Sequence, residues 1–275
     1  MTSRRRMLSV ENLTSKGVIN GEIQDDWDQI VRICQSGRAQ DFYSIGDWKT
    51  LNLGSLGTIK MGLANFNVDV RSDGKGFAPT SWMNLNPLKS YYGADVSYSV
   101  NTDTGWSIST QRTSYNETIY ESIPEAVRNN VLMVRKQSPE VIQRQSDRID
   151  YVTYGFSSYT QPVINGRVSI CSVVSNDKIW RPSTSELLLK PEDGGIYRSF
   201  FKNIPKLTFY GETNPVYFYT RDFHYVVGST SSAPTDITYY SGYYISGTED
   251  STGWCTTYAT GSVSTAYGAV FGFCL

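Results

Sequence analysis

The sequence predicts an α+β fold, in which a few short helices come first and strands joined by long loops follow. Apolar residues recur with helical spacing just after residue 25, and they alternate with polar residues after residue 58. Later in the chain, strongly apolar stretches such as Val168–Val174 are separated by long polar segments. The 275 residues can bury a substantial core, and we place a single domain at residues 24–275.

The N-terminal region divides into an arm and a helix. Residues 1–23 are polar and only weakly periodic, which predicts an extended arm. The apolar positions that follow Asp25 and Asp26 are Trp27, Ile30, Val31 and Cys34. An Asp at the first turn and Gly37 after the last apolar position predict a short capped helix.

Strands are predicted next. Phe42–Leu53 is strand-like with a turn at residues 45–47, and the alternation within Thr58–Val70 predicts a hairpin of two strands. Gly74-Lys75-Gly76 is predicted to be a turn, because no phosphate-loop glycine pattern surrounds it.

Helices are predicted again between residues 106 and 130. Trp106–Tyr120 is predicted to be a helix capped by Ser107. Ser122-Ile123-Pro124-Glu125 opens a second helix, because proline is tolerated in a first helical turn. Val131–Arg135 is predicted to be a strand that leaves it.

The region beyond residue 136 is predicted to hold fewer regular elements. Residues 137–166 are loop-rich, and Val168–Val174 is a strongly apolar strand. Ser183–Leu189 has the pattern of a short helix, with Ser183 or Ser185 as its cap before Glu186.

Charge and composition exclude several function classes. The net charge is −1 without a long basic run, which argues against sequence-independent binding of nucleic acid. No apolar stretch is long enough to insert into a membrane, and the N-terminus lacks the apolar run of a signal peptide. No cofactor is predicted, since Walker and dinucleotide glycine patterns are missing.

The single histidine and four cysteines narrow the chemistry further. His224 alone cannot supply a zinc site with several His ligands, and no G-x-S-x-G motif accompanies it, so no metal site or catalytic triad is predicted. Hydrolytic catalysis by a pair of carboxylates stays possible, because 26 acidic residues offer many pairings. The scattered cysteines favour reduced, buried thiols, although two disulfides are arithmetically possible.

The last quarter of the chain carries the functional prediction. It has no Lys or Arg after Arg221, Ser, Thr and Gly form about half of residues 228–275, and half of the 20 tyrosines lie beyond Lys206. Tyrosine beside small polar residues is typical of adaptable recognition surfaces. The predicted ligand contacts are Tyr219, Arg221, His224, Tyr225, Tyr239, Tyr240, Tyr243, Tyr244, Trp254, Thr256, Tyr258 and Tyr267.

Several of these residues also have a structural interpretation. Arg221 and Asp222 are expected to form a structural ion pair rather than a catalytic one, and His224 fits a hydrogen-bonded loop residue as well as a ligand contact. About half of the aromatics in Tyr217–Tyr225 are expected in the core, Phe218 among them. Residues predicted only to pack in the interior are Trp27, Trp48, Trp82, Trp106, Phe271 and Phe273.

A series of short motifs runs along almost the whole chain. They are Trp27-Asp28-Gln29-Ile30, Phe42–Asp47, Gly105-Trp106, Ile119–Pro124, Asp177–Ser183, Tyr217–Arg221 and the ending Gly268–Leu275. In this order they resemble a domain family of gut-bacterial surface proteins and bacteriophage virion proteins that looks related to C-type-lectin-like folds. The C-terminal part is also similar to the variable proteins of diversity-generating retroelements. Residues 137–175 fit the family pattern least and are interpreted as an insertion.

The resemblance implies a C-type-lectin-like domain with a binding face near the C-terminus. It also implies a virion protein made in the bacterial cytoplasm, in which residues 1–23 attach to other virion proteins. The displayed form is expected to be a homo-oligomer, a trimer by likeness to fibre-type proteins. The calcium-binding triplets of many lectins are missing, since Gln161-Pro162-Val163 lacks the carboxylate.

Two function classes follow from this. The first is a tail or fibre protein that recognises a bacterial cell-surface glycan or protein through its tyrosine-rich C-terminal face. The second is a decoration or collar subunit, whose tyrosine-rich face is a permanent protein–protein interface. An enzyme acting on cell-wall polysaccharide is a third and weaker alternative, and the prediction is that the chain is not an enzyme.

Overall fold

A computed structural model gives the architecture of the chain and confirms the α+β class, with few short helices and mostly antiparallel sheets. The structure describes residues 13–92, 105–143, 168–183, 186, 218–227, 237–245 and 267–275. The helices are α1 (Trp27–Gln35), α2 (Thr110–Ser114), α3 (Tyr120–Ser122) and α4 (Glu125–Arg128). The strands are β1 (Val18–Ile19), β2 (Glu22–Ile23), β3 (Trp48–Asn52), β4 (Thr58–Phe66), β5 (Thr80–Asn84), β6 (Leu88–Tyr92), β7 (Val134–Gln143), β8 (Val168–Asp177), β9 (Phe218–Val227), β10 (Ile237–Ile245), β11 (Tyr267–Ala269) and β12 (Gly272–Cys274).

Helix α1 forms as its sequence pattern predicts. Asp26 is the N-cap, and its Oδ1 accepts a hydrogen bond of 2.8 Å from the Gln29 backbone N–H. Ile30 and Cys34 are fully buried on the apolar face, and Gly37 follows the helix with a φ of 73°. The capping residue and the terminal glycine therefore limit the helix to the span of its apolar stripe.

Six strands form the main sheet in the order β1-β2-β3-β4-β5-β12. The predicted hairpin at residues 58–70 is wrong, because β4 continues as one strand between β3 and β5. A bulge between Leu63 and Asn65 shifts the register, so that Leu63 and Ala64 are both buried. The break in alternation therefore marks a bulge and not a turn. The predicted turn at residues 45–47 is present, but the strand begins only at Trp48.

The chain end completes this sheet in the core. Strand β12 pairs antiparallel with β5, with Phe273 opposite Trp82. Phe271 and Phe273 are fully buried, as predicted, and Trp82 and Trp106 are buried with them. Trp27 lies at the margin of the core, with its ring centroid 5.3 Å from that of Trp82. The C-terminus is thus an interior element of the fold.

The domain extends further toward the N-terminus than predicted. Strands β1 and β2 form a hairpin at the edge of the main sheet, and Ile23 is fully buried. The carboxylate of Asp25 binds this region, since it accepts hydrogen bonds from Ser15 Oγ at 2.5 Å and from Tyr43 OH at 2.8 Å. Residues 13–23 therefore belong to the domain, and residues 1–12 of the predicted arm lie outside the described residues.

The helical region differs in detail from the prediction. Trp106–Ile108 is a short 3₁₀ turn, and the cap of α2 is Ser109, whose Oγ accepts a 3.0 Å hydrogen bond from the Arg112 backbone N–H. Ser109 has an extended backbone, which ends the first turn and begins the next helix, so the predicted cap at Ser107 is wrong. The helix after Pro124 is confirmed as α4.

Strands β7 and β8 pair antiparallel along their full length. The apolar strand predicted at residues 168–174 is confirmed and extends to Asp177. The predicted loop begins too early, since residues 137–143 belong to β7. The remainder of the predicted insertion up to residue 167 lies outside the described residues.

Cys34 and Cys274 are buried thiols outside any disulfide, as predicted for these two cysteines. Burial raises the pKa of the Cys34 thiol to about 11, from an ordinary value of 9.0. Burial and the hydrogen bond to Asp25 also raise the pKa of Tyr43.

These two groups predict a loss of stability at alkaline pH. An unfolded chain ionises the Cys34 thiol above pH 9, whereas the folded chain keeps it neutral until about pH 11, so rising pH favours unfolding in this window. We expect the free energy of unfolding to fall by about 2 kcal/mol between pH 8 and pH 10.5 from Cys34 alone. Urea denaturation at both pH values measures this change. Cys34→Ala should show a smaller pH dependence, and an unchanged dependence in that variant would contradict the assignment.

Candidate functional site

Four buried charged side chains connect the tyrosine-rich strands to the rest of the domain. Lys136 Nζ lies 2.6 Å from Asp69 Oδ1 and 2.9 Å from Glu186 Oε1. Glu186 Oε2 in turn lies 2.5 Å from Arg221 Nη1. All four side chains are at most 3% exposed. We call Asp69, Lys136, Glu186 and Arg221 the buried quartet; its two carboxylates balance its two cations.

Each member of the quartet is held by its own chain segment. Lys136 lies in β7 and Arg221 in β9, whose Arg221 backbone N–H donates to Pro182 O at 2.9 Å. Ser183 Oγ accepts from the Glu186 N–H at 3.1 Å, while Glu186 Oε2 accepts from the Ser183 N–H at 2.9 Å. This reciprocal pair is a capping box, which makes Ser183, one of the two predicted candidates, the cap. Apart from Glu186, the rest of the helix predicted up to Leu189 lies outside the described residues. The capping box orients the Glu186 carboxylate between the two cations.

Polar and aromatic groups complete the surroundings of Asp69 and Lys136. Asp69 Oδ2 accepts hydrogen bonds from Ser81 Oγ and, at 3.4 Å, from Cys274 Sγ. Lys136 Nζ lies 3.5 Å from the centroid of the Trp180 ring, which is fully buried. Charges removed from water in this way require such partners, because desolvation costs several kcal/mol per ion.

Arg221 does not lie on a contact surface. Its side chain is 1% exposed and donates to Arg181 O at 2.9 Å and to Gln137 O at 3.1 Å. The prediction that Arg221 contacts a ligand at the surface is therefore corrected to a structural role. Its guanidinium pairs with Glu186, 35 positions earlier in the chain. The predicted ion pair with Asp222 stays a prediction, because the Asp222 side chain lies outside the described part of the structure.

A further buried carboxylate, outside the quartet, lies at the end of β8. Asp177 is fully buried and accepts from Arg112 Nε at 2.5 Å, from Ser175 Oγ at 2.6 Å and from Trp106 Nε1 at 2.9 Å. It therefore connects the end of β8 to the segment around α2.

Most of the predicted contact residues fall on two paired strands. Strands β9 and β10 are antiparallel, with Tyr240 opposite Tyr225 and Tyr244 opposite Tyr219. Ser241 is opposite His224. The register therefore produces two cross-strand tyrosine pairs.

We call the paired strands β9 and β10 the tyrosine ribbon. The remaining predicted contacts lie in β10, in β11 or outside the described residues. Tyr239 and Tyr243 are in β10, where Tyr243 falls at an irregularity in the register. Tyr267 is in β11, which lies between β9 and β6 in a sheet of order β10-β9-β11-β6. Trp254, Thr256 and Tyr258 lie outside the described residues, and their predicted role stays a prediction.

Sequence reasoning missed three members of the quartet. Asp69, Lys136 and Glu186 are separated by 67 and 50 positions along the chain. The Ser183-x-x-Glu186 spacing was recognisable as a cap, but nothing local indicates that Lys136 meets this carboxylate. Within the described ranges no group of three or more His, Cys, Asp or Glu side chains could hold a metal ion. No helix among the described residues is long and apolar enough to span a membrane.

Comparison with protein-family models, curated proteins and solved structures finds no match to this chain. The likeness to C-type-lectin-like domains stays a prediction.

Proposed function

We propose that the chain is a bacteriophage virion protein of the tail or fibre type, with a C-type-lectin-like domain that recognises a glycan or protein on the bacterial surface. The observation that carries this proposal is the register of β9 and β10. It aligns Tyr225 with Tyr240 and Tyr219 with Tyr244 in a segment that has no Lys or Arg after Arg221. Tyrosine offers a large contact area and a polar hydroxyl at low entropic cost, which suits binding to sugars or to mixed protein surfaces.

The buried quartet supports the same proposal. Arg221 lies within β9 and joins this strand to the core through Glu186. A binding surface on a rigid element loses less conformational entropy when it binds. Several copies on one particle would also multiply a weak single site through avidity.

The test is binding of the purified full-length chain to bacterial cells. Fluorescently labelled protein is incubated with a panel of gut-bacterial isolates, and cell-bound fluorescence is measured against protein concentration. Tyr240→Ala and Tyr244→Ala should each weaken binding by roughly tenfold or more, because a central interface tyrosine is worth about 2 kcal/mol. Far-UV circular dichroism of each variant checks that the fold is retained.

Phe77→Ala is the matched control, since Phe77 is an aromatic residue that is 55% exposed and lies just before β5, outside this ribbon. It should leave binding unchanged. Unchanged binding by Tyr240→Ala, Tyr244→Ala and Trp254→Ala together would refute the proposal. A chain that labels no cells but forms a large, stable assembly with virion proteins would favour the decoration or collar subunit instead.

A further inference from the structure

Within the buried quartet, the Lys136 amino group lies between the carboxylates of Asp69 and Glu186. Lys136 Nζ is 2.6 Å from Asp69 Oδ1 and 2.9 Å from Glu186 Oε1. Reacting groups held at contact distance gain a large effective concentration over the same groups in solution. Each side chain is at most 3% exposed, so bulk water has little access to the reacting atoms.

We propose that Lys136 and Asp69 condense to an intramolecular isopeptide bond, with Glu186 as the proton-transfer residue. The modification is an amide between Lys136 Nζ and Asp69 Cγ that covalently joins β7 to the segment between β4 and β5. It is independent of the function proposed above, because it concerns the scaffold and not the tyrosine ribbon.

The atoms and charges of this step balance without any co-reactant. Glu186 accepts a proton from the Lys136 ammonium, and the neutral amine attacks Asp69 Cγ to form the C–N bond. The C–O bond of one carboxyl oxygen then breaks, and that oxygen leaves as water. It takes up two protons, both of which come from the ammonium, one of them through Glu186. The quartet begins with two cations and two anions and ends with the Arg221–Glu186 pair, so its net charge stays zero.

The neighbouring groups suit this reaction. Ser81 Oγ and Cys274 Sγ donate to Asp69 Oδ2, which can retain them as it becomes first the tetrahedral oxyanion and then the amide oxygen. Arg221 keeps Glu186 in place beside Lys136 Nζ. Condensation also removes two of the four buried charges, whose desolvation is unfavourable. The Trp180 ring covers Lys136 Nζ and shields the product amide from hydrolysis.

The intact mass of the purified, denatured chain tests the proposal directly. An isopeptide bond lowers the mass by one water relative to the mass calculated from the sequence. Complete tryptic digestion locates it. Residues 61–71 should appear linked to residues 136–144, with cleavage after Lys136 blocked because its amine is in the amide. A mass equal to the calculated one, with residues 61–71 and residues 137–144 recovered as separate peptides, would overturn the proposal and leave an ion network only.

Substitutions of Lys136, Asp69 and Glu186 test the role of each residue in the cross-link separately. Lys136→Arg and Asp69→Ala should each have the full calculated mass, and Glu186→Gln should lose most of the cross-link. Asp177→Asn is the matched control, because Asp177 is an equally buried carboxylate whose cationic partner is Arg112. Asp177→Asn should still form the cross-link, so its mass should be lower by one water than the mass calculated from its sequence. The mass of denatured protein can be read even where a variant folds poorly, and a cross-link that persists in Glu186→Gln would remove Glu186 from the mechanism.

Discussion

Replacing Arg221 with methionine is expected to lower the free energy of unfolding by about 3–5 kcal/mol. The Arg221 guanidinium is 1% exposed and lies 2.5 Å from the buried Glu186 carboxylate. Methionine preserves much of the volume but leaves that carboxylate without one of its cationic partners, and it removes the hydrogen bonds from the guanidinium to the carbonyl oxygens of Gln137 and Arg181. Urea denaturation followed by tryptophan fluorescence measures the loss. The expectation holds whether or not Lys136 and Asp69 are joined, because Glu186 and Arg221 stay charged in both cases.

Arg128→Met provides the matched control. Arg128 also pairs with a carboxylate, that of Glu121 at 2.7 Å, but the Glu121 side chain is 66% exposed. An exposed pair of this kind is worth about 1 kcal/mol or less. The double variant Arg221→Met/Glu186→Gln should be less destabilised than the sum of its single variants, because it removes both charges of one pair. A loss for Arg221→Met as small as that for Arg128→Met would show that the guanidinium is solvated.

Gly272→Ala is the second substitution for which we expect a large effect. A Cβ on residue 272 would overlap Cζ2 and Cη2 of the Trp180 ring and would lie 2.7 Å from the backbone oxygen of Trp82. Trp180 is fully buried, and its backbone exchanges hydrogen bonds with Gly272 at 2.8 and 3.0 Å, so neither partner can move aside freely. Overpacking of this kind costs about 3 kcal/mol. Thermal or urea denaturation gives the value.

A double-mutant cycle with Trp180→Phe tests the cause. Phenylalanine lacks the outer atoms of the indole ring, so Gly272→Ala should be less costly in the Trp180→Phe background. Recovery should be partial, because the contact with the Trp82 carbonyl is backbone and remains. Strictly additive effects would indicate that the clash with the Trp180 ring is not the source of the destabilisation.

Local patterns account for the parts of the fold that were predicted correctly. The apolar stripe of α1, its cap at Asp26 and the capping box of Ser183 depend on interactions within a few residues, so their spacing is visible in the sequence. The tyrosines of β10 were predicted only as contact residues, and the register aligns two of them with tyrosines of β9. The hairpin predicted at residues 58–70 was wrong because this part of the fold depends on pairing with other strands. A bulge and a turn both interrupt alternation, and only the neighbouring strands decide which one forms.

By itself, the sequence determined the α+β class, the short capped helix α1, the buried apolar residues Phe271 and Phe273 and the concentration of tyrosine near the C-terminus. Only the tertiary structure decided that β12 enters the main sheet beside β5 and that Lys136 lies between Asp69 and Glu186. Arg221 shows the difference most clearly, because the sequence predicted it as a surface contact and the fold buries its side chain. Helix caps and side-chain periodicity arise from neighbours along the chain. Ion pairs and strand order arise from residues many positions apart, and they exist only once the chain has folded.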